Sequence, residues 1–253
     1  KDGAKVSAGT ADNLSVLVRA LDKYGVNMVA VTDHDCFDYK LYKKLRDLSS
    51  EDNSLQKVLP GVEFSVALMV ILRVKLYTWS RYLTTRMTRP LKKLNSCIPW
   101  GNGSPAYDRQ AAFSEEKYWE IIRSIGLNVV TIAHQKATLK SSRKRKNDAN
   151  SVGERRFNEF LFMDYFEAYE YKNRKNELFN KRFLQSEGIA DRLRFITGSD
   201  CHQWDAYPGI TADDVTDFSF SYLKCLPTFR GLAMAATDAS RVKTVDSFFS
   251  AST

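Results

Sequence analysis

The sequence predicts an α/β domain with a mainly parallel sheet, closed in the manner of a barrel. Three observations lead there. Short apolar, β-branched runs recur along the chain and end abruptly on polar residues, as buried parallel strands do. Amphipathic helical patterns alternate with these runs. The chain has 253 residues, 43% of them hydrophobic, which suffices for one large core and excludes a disordered chain. Alternation at this pace suits a closed sheet better than an open one.

The elements follow in order. Asn13 to Tyr24 carries Leu14, Leu17, Val18 and Leu21 on one helical face and stops at Gly25. A strand over Asn27 to Thr32 follows, then a helix over Tyr39 to Leu48 and a strand over Val58 to Ser65. Met69 to Thr78 is the next strand, residues 80 to 95 are helical, and Pro99 to Asp108 is a Gly/Pro/Asn loop. Ser114-Glu-Glu-Lys has the N-cap and first-turn acids of a helix start, and that helix ends at Gly126. A strand over Asn128 to Ala133 leads into a basic loop reaching about residue 151. Helix over Gly153 to Met163, strand over Tyr165 to Tyr171, helix over Asn176 to Ser186 and strand over Arg194 to Thr197 complete the alternation. Pro227 to Ala236 is a last helix; the domain is expected over residues 1–236, with 237–253 a tail leading toward a further module.

The chemistry collects at the ends of the apolar runs. All three histidines lie there, in Thr32-Asp33-His34-Asp35, Ala133-His134-Gln135 and Gly198-Ser-Asp200-Cys-His202, and a fourth run ends in Gly61-Val-Glu63-Phe-Ser65. In α/β folds, residues just past the carboxyl ends of strands meet in the active site. Imidazoles and carboxylates converging there make a metal site, and imidazole favours Zn, Mn or Fe over Mg or Ca. Phosphate-ester hydrolysis needs a nucleophile at neutral pH and a counter-charge for the leaving oxygen. Two metals roughly 3.5–4 Å apart supply both, with a bridging carboxylate, here Glu63, holding the pair. Asp200 and His202 are two apart, a spacing that points both to one face if the backbone is extended. A lone strand histidine is more often a satisfied core residue, and Asp33 or Asp200 alone could be a cap. That every histidine sits in such a place, two of them beside an aspartate, weighs against the core reading.

Net charge is +8, with clusters at Arg73-Lys75, Arg81 to Lys93 and Arg143-Lys144-Arg145-Lys146. Such patches favour a polyanion, most commonly nucleic acid, though a solvated loop has the same composition. The four cysteines Cys36, Cys97, Cys201 and Cys225 are widely spaced, without C-x-x-C, and read as free packing thiols of a reducing cytoplasm. No apolar stretch is long enough to span a bilayer, so no membrane partner is expected. The start Lys1-Asp2-Gly3 has no initiator Met and reads as the beginning of a fragment.

The four motifs, in this order, resemble the PHP (polymerase and histidinol phosphatase) family over residues 13 to 208. Ile-Ala-His134-Gln135-Lys136, the Asn-Asp148 loop, Phe166-Glu-Ala-Tyr-Glu170-Tyr-Lys-Asn173 and Pro227-Thr-Phe-Arg-Gly-Leu further resemble the PHP domains joined to a C-terminal SMC/AAA-like ATPase, among them TrlF-like and antiphage Ppl proteins. The resemblance implies a distorted (β/α)7 TIM-like barrel with two or three metals. It would make Glu63 a bridge between two ions, with His134 completing one and Asp200 the other, while His34 and His202 share a third. Asp33, His34, Glu63 and His202 would be the catalytic groups, and Lys136 with Arg143, Lys144, Arg145 and Lys146 would hold substrate phosphates. A linked ATPase module and a homo-oligomer are implied as well, although no G-x-x-x-x-G-K-[ST] occurs in this chain. Two departures stand out. The family's opening H-x-H has no counterpart before Thr32, and a histidine expected after Glu63 is replaced in a region holding Arg73 and Lys75.

Three functions therefore compete. They are a metal-dependent phosphoesterase acting as a nuclease, a small-molecule phosphatase, and a degenerate module that binds without catalysing.

Overall fold

The computed structural model describes residues 13–50, 52–68, 70–78, 113–133, 166–171, 195–209, 218 and 220–243. The helices expected over residues 80–95, 153–163 and 176–186, the loop over 99–108 and the basic loop lie outside them. Among the described residues, no helix is long and apolar enough to cross a membrane.

The chain begins with α1 (Leu14–Lys23), β1 (Met28–Val31), α2 (Tyr39–Asp47), β2 (Lys57–Leu68) and β3 (Val70–Thr78). It continues with β4 (Phe113–Ser114), α3 (Glu115–Ile125), β5 (Val129–Ala133), β6 (Ala168–Tyr171) and β7 (Phe195–Thr197). A 3-10 turn over Trp204–Ala206, β8 (Tyr222–Leu223), α4 (Phe229–Ala236) and β9 (Val242–Lys243) close the series. Local chemistry explains the helix ends. Asp38 and Ser114 accept N-cap bonds from Leu41 and Lys117 backbone N–H groups. Gly126, at φ +63°, supplies the left-handed C-cap of α3.

The main sheet runs β1-β2-β3-β5-β6-β7, with β4 added on β2. β1 and β2 are parallel, as are β5, β6 and β7, but β3 is antiparallel to both of its neighbours. The strands expected over Val58 to Ser65 and Met69 to Thr78 are the two arms of a tight antiparallel hairpin in which Leu68 pairs with Val70. The tail expected from residue 237 contains β9, which pairs with β8.

Alternation along β2 sorts its side chains between two cores. Val58, Val62, Phe64 and Val66 pack with Leu17, Leu21, Leu45, Tyr118 and Ile121 of α1, α2 and α3. Leu59 joins Val130, Ile132 and Ala168 against Phe229, Leu232 and Ala236 of α4. Glu63 lies between Val62 and Phe64, so it projects to the Leu59 face. Burying a carboxylate there is costly unless something binds it.

Candidate metal centre

The first half of the site grows from the turn after β1. Asp33 and Cys36 form an antiparallel bridge, and His34 pairs with Glu63 as a parallel bridge. The Glu63 N–H donates to the Asp33 carbonyl at 3.0 Å, and the Asp35 N–H donates to the Glu63 carbonyl at 2.8 Å. This pairing sets the two side chains opposite one another, with His34 Nδ1 3.9 Å from Glu63 Oε2. Glu63 is 2% exposed.

The second half lies past β7. Asp200 adopts φ +53°, a left-handed conformation that aspartate visits more readily than most residues. The extended geometry expected over residues 200–202 is therefore absent. The two side chains still meet, through this bend, with His202 Nε2 3.4 Å from Asp200 Oδ1. Non-glycine residues held at positive φ cluster at functional sites, and both such residues among those described, Asp35 and Asp200, belong to these motifs.

The halves come from opposite ends of the sheet, yet they share a cavity. Asp33, His34, Glu63, Asp200 and His202 all line one space of about 290 Å³. It abuts consecutive residues of both β1 and β7, the first and last strands of the sheet order. Among its described lining residues none is Lys or Arg.

The donor set, imidazole nitrogen plus carboxylate oxygen, suits a divalent transition ion. The arrangement is two pairs: among the described residues, no group of three His, Cys, Asp or Glu side chains is placed to hold an ion. His134 follows β5 directly in sequence but lies outside the described residues, as do Lys136, Arg143, Lys144, Arg145 and Lys146.

Cys201, between Asp200 and His202, is a packing thiol in contact with the helical core. Its Sγ–H donates to the Gln203 carbonyl at 2.9 Å. Burial pushes its pKa up to about 11, so it stays protonated at neutral pH and is a poor ligand.

Sequence reasoning passed over two buried acids. Asp35 is 5% exposed and Glu170 is 2% exposed. Asp35 was visible in Asp33-His34-Asp35, but only the fold shows its Oδ1 accepting the Ser65 N–H at 2.9 Å. Glu170 shares a face of β6 with Ala168, which packs in the core beneath Phe229, Leu232 and Ala236.

Neither family models, nor curated proteins, nor solved structures give a match to this chain.

Proposed function

We propose that this chain is a metal-dependent phosphoesterase of the PHP type, acting as a nuclease on nucleic-acid phosphodiesters. One observation carries the reading: two imidazole–carboxylate pairs, drawn from opposite edges of the sheet, line a single cavity. A sheet whose first and last strands border one space is also what supports the distorted (β/α)7 barrel as its architecture.

His34, Glu63, Asp200 and His202 would hold divalent Mn, Zn or Fe together with His134. A bound ion would supply Lewis acidity toward the phosphate oxygens and a nucleophile at neutral pH. The residues themselves do the rest. Glu63 orients the His34 ring, and Asp200 orients that of His202, as carboxylates beside imidazoles do. Asp33, or whichever of His34 and His202 does not hold an ion, would handle protons at the cavity wall. Lys136 and the Arg143 to Lys146 cluster, on the segment after β5, bind backbone phosphates without sequence preference. By the same resemblance the domain is the N-terminal effector of an ATPase-linked, antiphage-type protein of the cytoplasm that works as a homo-oligomer.

The experiment is nuclease activity on single- and double-stranded oligonucleotides with Mn²⁺ added, comparing the wild type with Asp200→Ala and His134→Ala. Loss in both variants supports the reading, whereas equal activity in all three proteins rejects it.

A degenerate binding module is the second reading, favoured by the missing opening H-x-H and the missing histidine in the strand after Glu63. Metal analysis separates the two: less than one transition ion per chain, with no hydrolysis in Mn²⁺, selects the binding module. A small-molecule phosphatase would need a cation in the pocket to hold a monoester; a marked preference for phosphomonoesters over oligonucleotides would select it.

A further inference from the structure

We infer that Asp35 is a positioning residue that sets Glu63 opposite His34; this rests on the metal-centre reading of the cavity. Asp35 is buried, and it is not among the residues lining that cavity. It acts instead on the strand that carries Glu63.

Hydrogen bonds tie this turn to one edge of β2, whose other edge pairs with β3. The Asp35 N–H donates to the Glu63 carbonyl at 2.8 Å, and the Glu63 N–H donates to the Asp33 carbonyl at 3.0 Å. The Ser65 N–H donates to Asp35 Oδ1 at 2.9 Å. The first two join backbone to backbone and could form with many residues at these positions. The third needs a short side-chain acceptor at residue 35. With it, the turn grips β2 at Glu63 and again two residues further on, and so fixes the register of His34 against Glu63.

The backbone of Asp35 reinforces the assignment. Its φ of +50° is left-handed, and it falls within the turn closed by the Asp33–Cys36 bridge. Glycine, asparagine and aspartate tolerate that conformation best. Of these, only asparagine and aspartate also offer the Oδ1 acceptor. The geometry thus calls for an acceptor at residue 35 rather than a charge.

Two variants of the full chain separate these features. Asp35→Gly keeps the backbone conformation and deletes the acceptor, while Asp35→Asn keeps both and deletes the charge. Two readouts apply: Mn²⁺ affinity by calorimetry, and the ring ¹H–¹⁵N resonances of the metal-free protein. With three histidines in the chain, single His→Gln variants assign each ring. Asp35→Gly is expected to weaken Mn²⁺ binding about ten-fold or more, as loss of an outer support does, and to move the His34 ring signals but not those of His202. Asp35→Asn is expected to return both to near wild-type values.

The inference is overturned if Asp35→Gly only lowers the melting temperature while Mn²⁺ affinity and the His34 signals stay put. It is equally overturned if Asp35→Asn behaves like Asp35→Gly. Should Asp35→Gly fail to fold, the Asn variant decides alone, since lost affinity in a variant that retains the Oδ1 acceptor to Ser65 contradicts the assignment. A wild type that takes up no Mn²⁺ rejects the metal centre itself, and the His34 signals of the metal-free protein then still decide the role of Asp35.

Discussion

His34 Nδ1 stands 3.9 Å from Glu63 Oε2 because the main chains of the two residues pair, not because their side chains happen to meet. A backbone bridge of this kind is rigid before any ligand arrives. It places an imidazole beside a carboxylate that is 2% exposed, and that buried acid is the natural first target for mutation.

Glu63→Gln preserves size and removes the charge. Mn²⁺ affinity should fall at least about ten-fold, in line with the cost of disturbing a metal's ligands or their supports. Thermal stability of the metal-free protein should hold or rise, since a buried carboxylate is replaced by a neutral amide. Calorimetric titration and a melting curve on the same sample check both halves; a large fall in Tm would assign Glu63 to structure.

Phe64, next to Glu63, points into the helical core. Its ring lies 5.9 Å from that of Phe113 and 5.8 Å from that of Tyr118, both edge-on, and it is fully buried. Phe64→Ala should cost about 3–5 kcal/mol, read as a shift in urea midpoint at unchanged slope.

Two glycines should respond differently to alanine. Gly126 has open space around a built Cβ but sits at φ +63°, so Gly126→Ala should cost only the left-handed backbone, about 1 kcal/mol. In α4, a Cβ on Gly231 would run into the Leu226 carbonyl and the Cys225 side chain. Gly231→Ala should therefore cost about 3 kcal/mol, the upper part of the usual overpacking range. Parallel denaturant curves for the two variants give the comparison, and a reversed order would contradict the packing around α4.

Cys201 offers a pH test. Burial raises its thiol pKa from the usual 9.0 to about 11. A thiol held protonated in the fold contributes stability that is fully present below the unfolded value of 9.0 and is lost as pH rises through about 11. Iodoacetamide labelling followed by peptide mass mapping should accordingly find Cys201 slow at pH 8, with its rate climbing at strongly alkaline pH. Rapid labelling at pH 8 would show an accessible thiolate instead.

Much of this fold was legible in the sequence because local chemistry decided it. Leu14, Leu17 and Leu21 announced α1, Ser114 and Gly126 bounded α3, and the β-branched runs placed β1, β5 and β7 within a residue or two. The antiparallel direction of β3 was not legible, since the apolar run between Val66 and Leu76 carries no turn residue to mark a reversal. Asp33, His34, Glu63, Asp200 and His202, the five that line the cavity, were legible from strand-end position. The means by which Asp200 meets His202 was not, because a left-handed aspartate looks like any other in a sequence. Asp35 stayed hidden for a related reason: its partner, Ser65, lies on another strand, and only strand pairing brings the two together.

β1 and β7 stand at opposite ends of the sheet order and still border one cavity. During synthesis the ribosome delivers His34 and Glu63 long before Asp200 and His202. A nascent chain therefore holds only half of the binding groups until the last parallel strand is in place. Contacts between such distant parts of a chain form late and slowly, so if the proposed centre binds metal, its loading would report on completed folding, and a truncated chain would lack half of the cavity's imidazole–carboxylate pairs.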